Sequence, residues 1–342
     1  MRCMATYRSA QITEPGAGFD LVERPLPDPG PGHVRLVVEA CGICGTDPAF
    51  VNGAFPGLTF PLTCGHEIAG RIDVIGDGVE GWTVGERVAV GWFGGHCGHC
   101  VPCREGDFIH CTRIQVPSWA YPGGYADAVV VPASALARIP DAISAAEAAP
   151  MGCAGVATYN SLRRSSAVAG DLVAVLGLGG LGHLGVQFAN KLGFETVAIA
   201  RGTEKAATAT QLGAHHFIDS NEGDVAGRLQ ALGGAKVVLA TVASSDAMSA
   251  TVDGLRHNGE LLVVGADAAP IHVSPFQILS TSRSVHGHPS GTAIEVEETL
   301  RFAALTGIRP LVETRPLDDV QAAYDRMLSG QARYRVVLTT GQ

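Results

Sequence analysis

A glycine-rich stretch constrains the fold of this chain more than any other feature of its sequence. It reads Val173-Ala174-Val175-Leu176-Gly177-Leu178-Gly179-Gly180-Leu181-Gly182. The apolar residues predict a buried strand, and the glycines predict a tight turn that opens a helix. A G-x-G-x-x-G pattern between strand and helix is typical of units that hold a dinucleotide pyrophosphate at the helix N-terminus. The predicted cofactor contacts are Gly177, Gly179, Gly180, Leu181 and Gly182.

After residue 171 the chain alternates short apolar runs with stretches of helical spacing. Strands that alternate with helices form a parallel, doubly wound α/β sheet. Two further helical segments (293–305 and 317–328) and a last strand (334–339) follow, and this tail is too short to form a domain of its own. The predicted strands of the sheet span residues 172–176, 196–200, 216–218, 236–240, 260–264 and 284–286.

The first 140 residues carry short apolar alternations broken by Gly, Pro and Asp, and this pattern predicts a β-rich domain. Ser144 and Glu147 have the spacing of a capping box, and we expect an alanine-rich helix that continues past Cys153. A chain of 342 residues favours two domains. We predict one domain from residues 1–154 and 289–342, and a second, dinucleotide-binding domain from residues 155–288.

Charge and cysteine usage restrict the possible partners. The formal net charge of −9 at pH 7 argues against nucleic acid and anionic membranes, because Lys and Arg side chains carry most of the binding to both. The first 15 residues contain no continuous apolar run, so they do not resemble a secretory signal, and we expect a cytoplasmic protein. In such a chain, nine cysteines indicate metal binding rather than disulfides.

The most specific local signal is the spacing Cys97-x2-Cys100-x2-Cys103-x7-Cys111. Short spacers with nearby Gly and Pro allow the loop to curl around an ion, and four thiolates close a tetrahedral shell around Zn²⁺. We predict a structural zinc site with these four ligands. The alternative is four reduced cysteines that pack without a metal.

A second set of zinc-type ligands is spread along the chain. Cys44 lies in a turn-rich loop with Thr46 and Asp47, and Gly65-His66-Glu67 follows further on. Together with Cys153, these residues offer the three protein ligands of a catalytic zinc site, which leaves a fourth position for water or substrate. Thr46 can pass on a proton, and Asp47 can orient a neighbouring ligand. Glu67 can either orient a ligand or bind the metal transiently. The cysteines outside both sets, which we expect to be packing or surface thiols, are Cys3, Cys41 and Cys64.

The end of the second predicted strand of the sheet indicates which cofactor is preferred. Units that bind NAD usually carry an acidic residue there for the adenosine ribose, whereas this chain has Arg201, with Lys205 one helical turn later. A guanidinium can bind a 2′-phosphate bidentately, so NADP(H) is favoured over NAD(H). The alternative is that both cations only solvate the start of a helix, while Glu204 reaches a ribose hydroxyl.

With these motifs the chain resembles, nearly end to end, the zinc-containing alcohol dehydrogenases of the medium-chain dehydrogenase/reductase family. The resemblance also covers the segments 153–159 and 333–338. It implies a GroES-like catalytic domain beside a Rossmann cofactor domain, two zinc ions per chain, and a homo-oligomer, dimer or tetramer, paired near residues 284–287. Cys44, His66 and Cys153 would hold the catalytic zinc. The further implied roles are the nicotinamide contacts Thr158 and Val264, the pyrophosphate contact Arg335, and the substrate-pocket residues Phe55 and Trp92.

The activity implied by the resemblance is hydride transfer between NADP(H) and an alcohol, aldehyde or ketone, with zinc as the Lewis acid and Thr46 as the first proton carrier. Many members have a histidine a few residues after this hydroxyl, whereas this chain has Pro48-Ala49-Phe50. Without it, the cofactor ribose hands its proton to water directly, another histidine completes the relay, or the enzyme is mainly a reductase. The missing histidine also leaves open an NADPH-dependent reductase of a conjugated C=C or C=N bond. Because a fold does not decide function, a non-catalytic protein that binds zinc and a nucleotide is a further alternative.

Overall fold

The structure is a computed structural model that describes residues 6–341. Cys3 therefore lies outside the described residues. The chain divides into two compact units, of which the first comprises the residues up to Val156 together with those from Gly291 onward. The second unit comprises Ala157–Ser290. No helix within residues 6–341 is long and apolar enough to cross a bilayer.

Strands and helices are numbered here in chain order. The strands are β1 (Thr6–Ile12), β2 (Asp20–Pro25), β3 (His33–Ile43), β4 (Leu62–Thr63), β5 (Ile68–Ile75), β6 (Arg87–Val90), β7 (Ala128–Pro132), β8 (Ala137–Arg138), β9 (Leu172–Leu176), β10 (Glu195–Ala200), β11 (His216–Asp219), β12 (Ala235–Ala240), β13 (Leu255–Val263), β14 (Ser284–Gly287), β15 (Val312–Pro316) and β16 (Arg335–Thr339). The α-helices are α1 (Asp47–Val51), α2 (Val101–Arg104), α3 (Ala145–Ala148), α4 (Ala154–Arg163), α5 (Gly182–Lys191), α6 (Ala206–Gln211), α7 (Val225–Ala231), α8 (Ser245–Ser249), α9 (Pro275–Leu279), α10 (Ala293–Thr306) and α11 (Val320–Leu328).

The first unit is organised around β3. This strand pairs antiparallel with β5, β7 and β16 in a seven-stranded sheet of order β15-β16-β3-β5-β6-β8, and a smaller sheet has the order β2-β1-β4. Leu36 and Val38 of β3 are fully buried and belong to the same apolar core as Ile68 and Ile72 of β5. Because β3 lies in the middle of its sheet, its C-terminal end is a firm base for the loop that begins at Cys44.

One edge strand of the first unit was not predicted from the sequence. β15 pairs parallel with β16, and most of its residues are exposed. Its central residues, Glu313-Thr314-Arg315, are polar and show no alternation of apolar with polar side chains. A strand that buries little apolar surface gives no such signal, because the pattern records burial on one face.

The second unit confirms the predicted doubly wound parallel sheet. Its strand order is β11-β10-β9-β12-β13-β14, and every pair is parallel. All residues of β9 and β12 are buried. Burial on both faces explains why β9 is a continuous apolar run and why β12 is apolar except for Lys236. β13 begins at Leu255 rather than at residue 260, because the exposed residues after Leu255 hide its first part from an apolar pattern.

The prediction of one helix from Ser144 past Cys153 is wrong beyond the first turn. The capping box is present, with the Ser144 hydroxyl accepting the Glu147 N–H at 3.3 Å. α3 then ends at Ala148, and a 3₁₀ turn covers Ala149–Gly152. Pro150 lies in that turn and has no amide hydrogen for a helical bond. Cys153, with φ −128° and ψ −76°, is therefore at a bend between two helices.

Candidate functional site

Three of the predicted zinc ligands meet in the first unit. Cys44 follows β3, His66 lies in the loop between β4 and β5, and Cys153 lies at the bend before α4. Their ligand atoms and a carboxylate oxygen of Glu67 all lie within 4.8 Å of one another. The sulfurs of Cys44 and Cys153 are 3.9 Å apart although the residues are 109 positions apart in the chain. We call Cys44, His66 and Cys153 the three-ligand group.

The imidazole of His66 shows whether this group fits a metal. His66 has no solvent exposure. Of its two ring nitrogens, Nδ1 lies 3.3 Å from a carboxylate oxygen of Asp47, and Nε2 has no hydrogen-bond partner within residues 6–341. Buried polar atoms without partners are costly, and a metal ion would satisfy one of these nitrogens. Two thiols and an imidazole are donors that Zn²⁺ prefers, and three protein ligands are typical of catalytic zinc. The three-ligand group therefore fits a catalytic zinc ion.

The two thiols of the group differ in acidity. The hydrogen bond from Cys153 lowers the pKa of the Cys44 thiol well below its usual value, against the opposing effect of burial. The same hydrogen bond, together with burial, raises the pKa of Cys153. Zinc binding needs both sulfurs deprotonated, so it would release any proton that they carry.

Asp47 lies directly behind His66 and is also fully buried. Its Oδ2 accepts the backbone N–H of Cys44 at 2.7 Å, and its Oδ1 lies 3.3 Å from Nδ1 of His66. A carboxylate behind a ligating histidine fixes the tautomer and the orientation of the ring. The Asp47 carboxylate is therefore placed to orient the His66 ring and to fix the backbone of Cys44.

Glu67 and Arg335 form a buried ion pair beside the three-ligand group. Nη2 of Arg335 donates to both carboxylate oxygens of Glu67, at 2.5 and 2.6 Å, and to the carbonyl of Ile43 at 3.1 Å. Burial raises the pKa of Glu67 above its ordinary value, and the Arg335 guanidinium acts in the opposite direction and favours the carboxylate. A Cβ at Gly42 would lie 2.0 Å from Oε2 of Glu67, so the position of Glu67 requires glycine there. The predicted contact of Arg335 with a pyrophosphate stays a prediction.

Thr46 lies between Cys44 of the three-ligand group and helix α1. It is the residue before Asp47 at the start of the helix, yet its hydroxyl caps no backbone N–H. Within residues 6–341 this half-buried hydroxyl has no hydrogen-bond partner. The Thr46 hydroxyl can therefore exchange a proton with a small molecule without first breaking a bond to the protein.

Aromatic side chains cover the region next to His66. Trp92 meets the His66 ring edge-on at 5.2 Å between centroids, and Phe55 lies 6.3 Å from Trp92. Phe50 packs on Phe55 at 4.7 Å, and Trp119 stacks on Phe55 at 5.0 Å. Sequence reasoning selected Phe55 and Trp92 but missed the other two. Phe50 lies in the five-residue helix α1 and Trp119 in a turn, and segments this short give no periodic signal. We call Phe50, Phe55, Trp92 and Trp119 the aromatic cluster.

The four clustered cysteines form a second metal-type group in the first unit. The sulfurs of Cys97, Cys100, Cys103 and Cys111 all lie within 4.8 Å of one another. Backbone N–H groups donate to these sulfurs. The Cys97 N–H donates to the Cys111 sulfur at 3.3 Å, and the Cys100 N–H donates to the Cys97 sulfur at 3.4 Å. Hydrogen bonds of this kind, above all from the backbone of His99, lower the pKa of Cys97 to about 5. Four thiol ligands with no open position fit a structural zinc ion.

The glycine-rich loop joins β9 to α5 in the second unit. Gly177 has φ +98°, and a Cβ at Gly182 would lie 1.8 Å from the Gly177 carbonyl oxygen, so neither position accepts a side chain. Gly179 has no atom within 4 Å of where a Cβ would lie. Gly180 and Leu181 complete the turn before the helix begins. Such a loop lets a pyrophosphate approach the backbone at a helix N-terminus.

A cavity of about 620 Å³ lies beside this loop. Its walls include Gly177, Gly179, Arg201 and Lys205. Arg201 is exposed and Lys205 is half-buried, and neither forms an ion pair within the described part of the chain. The cavity therefore combines a glycine-rich turn of the kind that binds phosphate with two side-chain cations that make no ion pair within residues 6–341. We call it the cofactor cavity.

Two other predicted cofactor contacts lie in the second unit outside the cavity lining. Thr158 is fully buried in α4. Val264 follows β13, is half-buried and donates its N–H to the Ala240 carbonyl at 3.0 Å. The contacts of both residues with a nicotinamide stay predictions.

Comparison with known proteins identifies the family. Residues 30–141 match the alcohol dehydrogenase GroES-like domain, and residues 180–305 match the zinc-binding dehydrogenase family. An alcohol dehydrogenase of Aspergillus sp. (strain MF297-2) is 42% identical over 98% of both chains. The NADP-dependent alcohol dehydrogenase C 1 of Mycolicibacterium smegmatis is 32% identical over 99% of both chains.

The fold of the chain matches solved structures of the same kind. A cinnamyl alcohol dehydrogenase of Sorghum bicolor superimposes with a TM-score of 0.89 at 26% identity over 98% of both chains. The GroES-like and Rossmann-type folds implied by the resemblance are confirmed. The chain therefore belongs to the zinc-type alcohol dehydrogenases of the medium-chain dehydrogenase/reductase family and is an oxidoreductase of that class.

Proposed function

We propose that this oxidoreductase is a zinc-dependent alcohol dehydrogenase and aldehyde reductase that uses NADP(H). The observation that carries the proposal is the fully buried His66. Its Nε2 has no hydrogen-bond partner in residues 6–341, and two thiols lie with it within 4.8 Å. A purely structural or nucleotide-binding protein would not need such a group in addition to the four-cysteine cluster. When bound, zinc supplies Lewis-acid polarisation of the substrate oxygen, and the nicotinamide supplies or accepts a hydride.

Each chain would hold two zinc ions. Cys44, His66 and Cys153 would hold the catalytic ion, with Asp47 fixing the imidazole. Glu67, neutralised by Arg335, supplies a buried carboxylate next to the same ligands. The second ion would be structural and held by Cys97, Cys100, Cys103 and Cys111.

Thr46 would carry the proton that accompanies hydride transfer. Its hydroxyl makes no other bond within the described residues and is two positions from the ligand Cys44. In alcohol oxidation Thr46 accepts the hydroxyl proton of the substrate and passes its own proton on, and in carbonyl reduction it acts in the reverse direction. No histidine follows at positions 48–50 to continue the relay.

The missing histidine also favours a second candidate function, a reductase of a conjugated C=C or C=N bond. Such a reduction protonates carbon or nitrogen rather than an alkoxide oxygen, so it does not depend on this relay. Assays with matched substrates, an enal and its saturated aldehyde, separate the two functions. Reduction of the enal at its double bond, together with no turnover of the saturated aldehyde, would replace our first proposal with the second.

The preference for NADP(H) is supported by Arg201 and Lys205 in the wall of the cofactor cavity. A 2′-phosphate would pair with these cations, which have no anionic partner within residues 6–341. The related M. smegmatis enzyme is itself described as NADP-dependent.

The aromatic cluster supports aromatic or medium-length aliphatic alcohols and aldehydes as substrates. Trp92 lies against the ligand His66, and the stacked pair of Phe55 and Trp119 extends the aromatic surface outward from it. Such surfaces bury planar and apolar parts of a ligand, because they offer few polar groups that would have to be hydrogen-bonded. The S. bicolor relative is described as a cinnamyl alcohol dehydrogenase, which acts on an aromatic alcohol by name.

A homo-oligomer is supported by the free edge of the six-stranded sheet. β14 is the last strand of the sheet, and three of its four residues are exposed. The nearby helix α9 exposes Phe276 (76%) and Leu279 (80%). A sheet edge that no strand of residues 6–341 pairs with, beside exposed apolar side chains, favours pairing with a second copy of the chain.

Metal analysis and kinetics test the proposal together. We expect two zinc ions per purified chain, oxidation of benzyl alcohol with NADP⁺, and reduction of benzaldehyde with NADPH. Cys44→Ser should abolish turnover and remove one zinc ion, whereas Cys41→Ser, a matched change at a buried cysteine outside both groups, should keep both ions. The proposal would be wrong if the wild-type protein turned over no alcohol or aldehyde and held a single zinc ion that Cys44→Ser did not remove.

A further inference from the structure

Tyr125 is a buried residue that has no role in the mechanism above. It follows Gly123-Gly124, and its side chain has no solvent exposure. Its N–H donates to the Cys64 carbonyl at 2.9 Å, and the Gly124 N–H donates to the Gly65 carbonyl at 2.8 Å. These backbone bonds fix Tyr125 beside the loop that carries His66.

The phenol of Tyr125 donates a hydrogen bond to Oδ2 of Asp47 at 2.6 Å. The same oxygen accepts the Cys44 N–H at 2.7 Å. Two donors on Oδ2 fix the rotation of the carboxylate, and Oδ1 then faces Nδ1 of His66 at 3.3 Å. With the phenol removed, only one donor would hold Oδ2, and the carboxylate could turn about its Cβ–Cγ bond.

The ring of Tyr125 restricts the same loop from a second side. Gly65 has φ +107°, and a Cβ there would lie 2.6 Å from Cδ1 of Tyr125. The ring therefore contacts the residue directly before His66, while the hydroxyl contacts the carboxylate behind it. Burial raises the pKa of Tyr125, so the phenol keeps its proton and remains a donor at neutral pH.

We propose that Tyr125 is a positioning residue of the three-ligand group, because its hydroxyl holds Asp47 in the orientation that fixes the imidazole of His66. The inference rests on the proposed function, since it requires that this group binds zinc. Losing the carboxylate partner of a ligating histidine weakens metal binding about 10- to 100-fold. The phenol is one residue further from the metal, so we expect a smaller effect of about three- to tenfold.

The test measures metal release rather than turnover. Tyr125→Phe removes only the hydroxyl. Tyr121→Phe is the control, since the hydroxyl of this half-buried tyrosine donates to the Gly94 carbonyl at 2.8 Å instead of to a carboxylate. Zinc transfer to an excess of a colorimetric chelator gives one kinetic phase for each site. Cys97→Ser identifies the phase of the four-cysteine cluster. The visible spectrum of cobalt-substituted protein reports the ligand geometry independently.

We expect Tyr125→Phe to release zinc from the three-ligand group about three- to tenfold faster and to alter its cobalt spectrum. Tyr121→Phe should leave that rate unchanged. In an Asp47→Asn background, Tyr125→Phe should have almost no further effect, because the hydroxyl acts through that carboxylate.

Three results would overturn the inference: an unchanged release rate, equal acceleration at both zinc sites, or a full effect in the Asp47→Asn background. Equal acceleration would indicate general destabilisation, and melting of the zinc-free variants checks this directly. Wild-type protein that releases only the zinc of the four-cysteine cluster would overturn the proposed function instead. The failures of the two proposals are therefore distinguishable.

Discussion

Replacing Arg201 by Ser removes the cation that our proposal pairs with the 2′-phosphate of NADPH. The change leaves the glycine-rich loop intact, because Arg201 makes no hydrogen bond within residues 6–341 and lies after the end of β10. NADH has a hydroxyl in place of that phosphate. The substitution should therefore act on one cofactor and spare the other.

The exposure of Arg201 sets the size of the effect. A hydrogen bond between charged groups contributes about 1.5–3 kcal/mol, and the lower end applies to an exposed guanidinium whose interaction water screens. A loss of about 1.5 kcal/mol corresponds to about a tenfold fall in kcat/KM for NADPH. Lys205 is half-buried and supplies the second cation, so the double variant with Lys205→Ser should lose more, about 30- to 100-fold.

The assay compares kcat/KM for NADPH and NADH at saturating benzaldehyde. Lys191→Ser is the matched control, since it removes one positive charge from an exposed residue of the second unit that does not line the cofactor cavity. The loss with NADPH should shrink as salt rises from about 0.05 to 0.5 M, because screening weakens exposed charge pairs.

Two outcomes would refute this reasoning. One is a fall of less than about twofold with NADPH, and the other is an equal fall with both cofactors. A wild-type preference for NADH would instead support the alternative in which Glu204 binds a ribose hydroxyl and the two cations are solvated.

Three further predictions concern the first unit. Thr46→Ala should lower kcat for benzaldehyde reduction about 100-fold, which is the size expected when a general acid is lost. NADPH binding, measured by fluorescence, should change little. Full activity of the variant would show that Thr46 carries no proton. Cys97→Ser should remove one zinc ion and lower the melting temperature, as seen by calorimetry, while Cys64→Ser should keep both ions. Glu313, whose pKa is lowered by its hydrogen bond from Arg326, should stabilise the fold above the ordinary glutamate pKa and lose this effect as pH falls. Glu313→Gln should therefore melt at a lower temperature than wild type at pH 7, and the difference should become smaller as pH falls towards 3; an equal difference at both pH values would contradict this.

The second unit was predictable because its fold depends on local patterns. Strands buried on both faces read as apolar runs, and the turn at Gly177 must be glycine for steric reasons. The polar strand β15 and the polar beginning of β13 were missed because most of their residues are exposed and leave no apolar run in the sequence. Secondary structure could be predicted wherever burial left a periodic trace in the sequence.

The sequence alone determined which residue types were available for zinc and a dinucleotide, because the Cys97 to Cys111 spacing and the glycine fingerprint act within one loop each. Only the tertiary structure decided how distant residues meet. The helix breaks at Cys153, Arg335 reaches Glu67 through the pairing of β16 with β3, and Tyr125 reaches Asp47. Contacts between distant residues depend on how sheets and loops pack, and no spacing along a single chain records that packing.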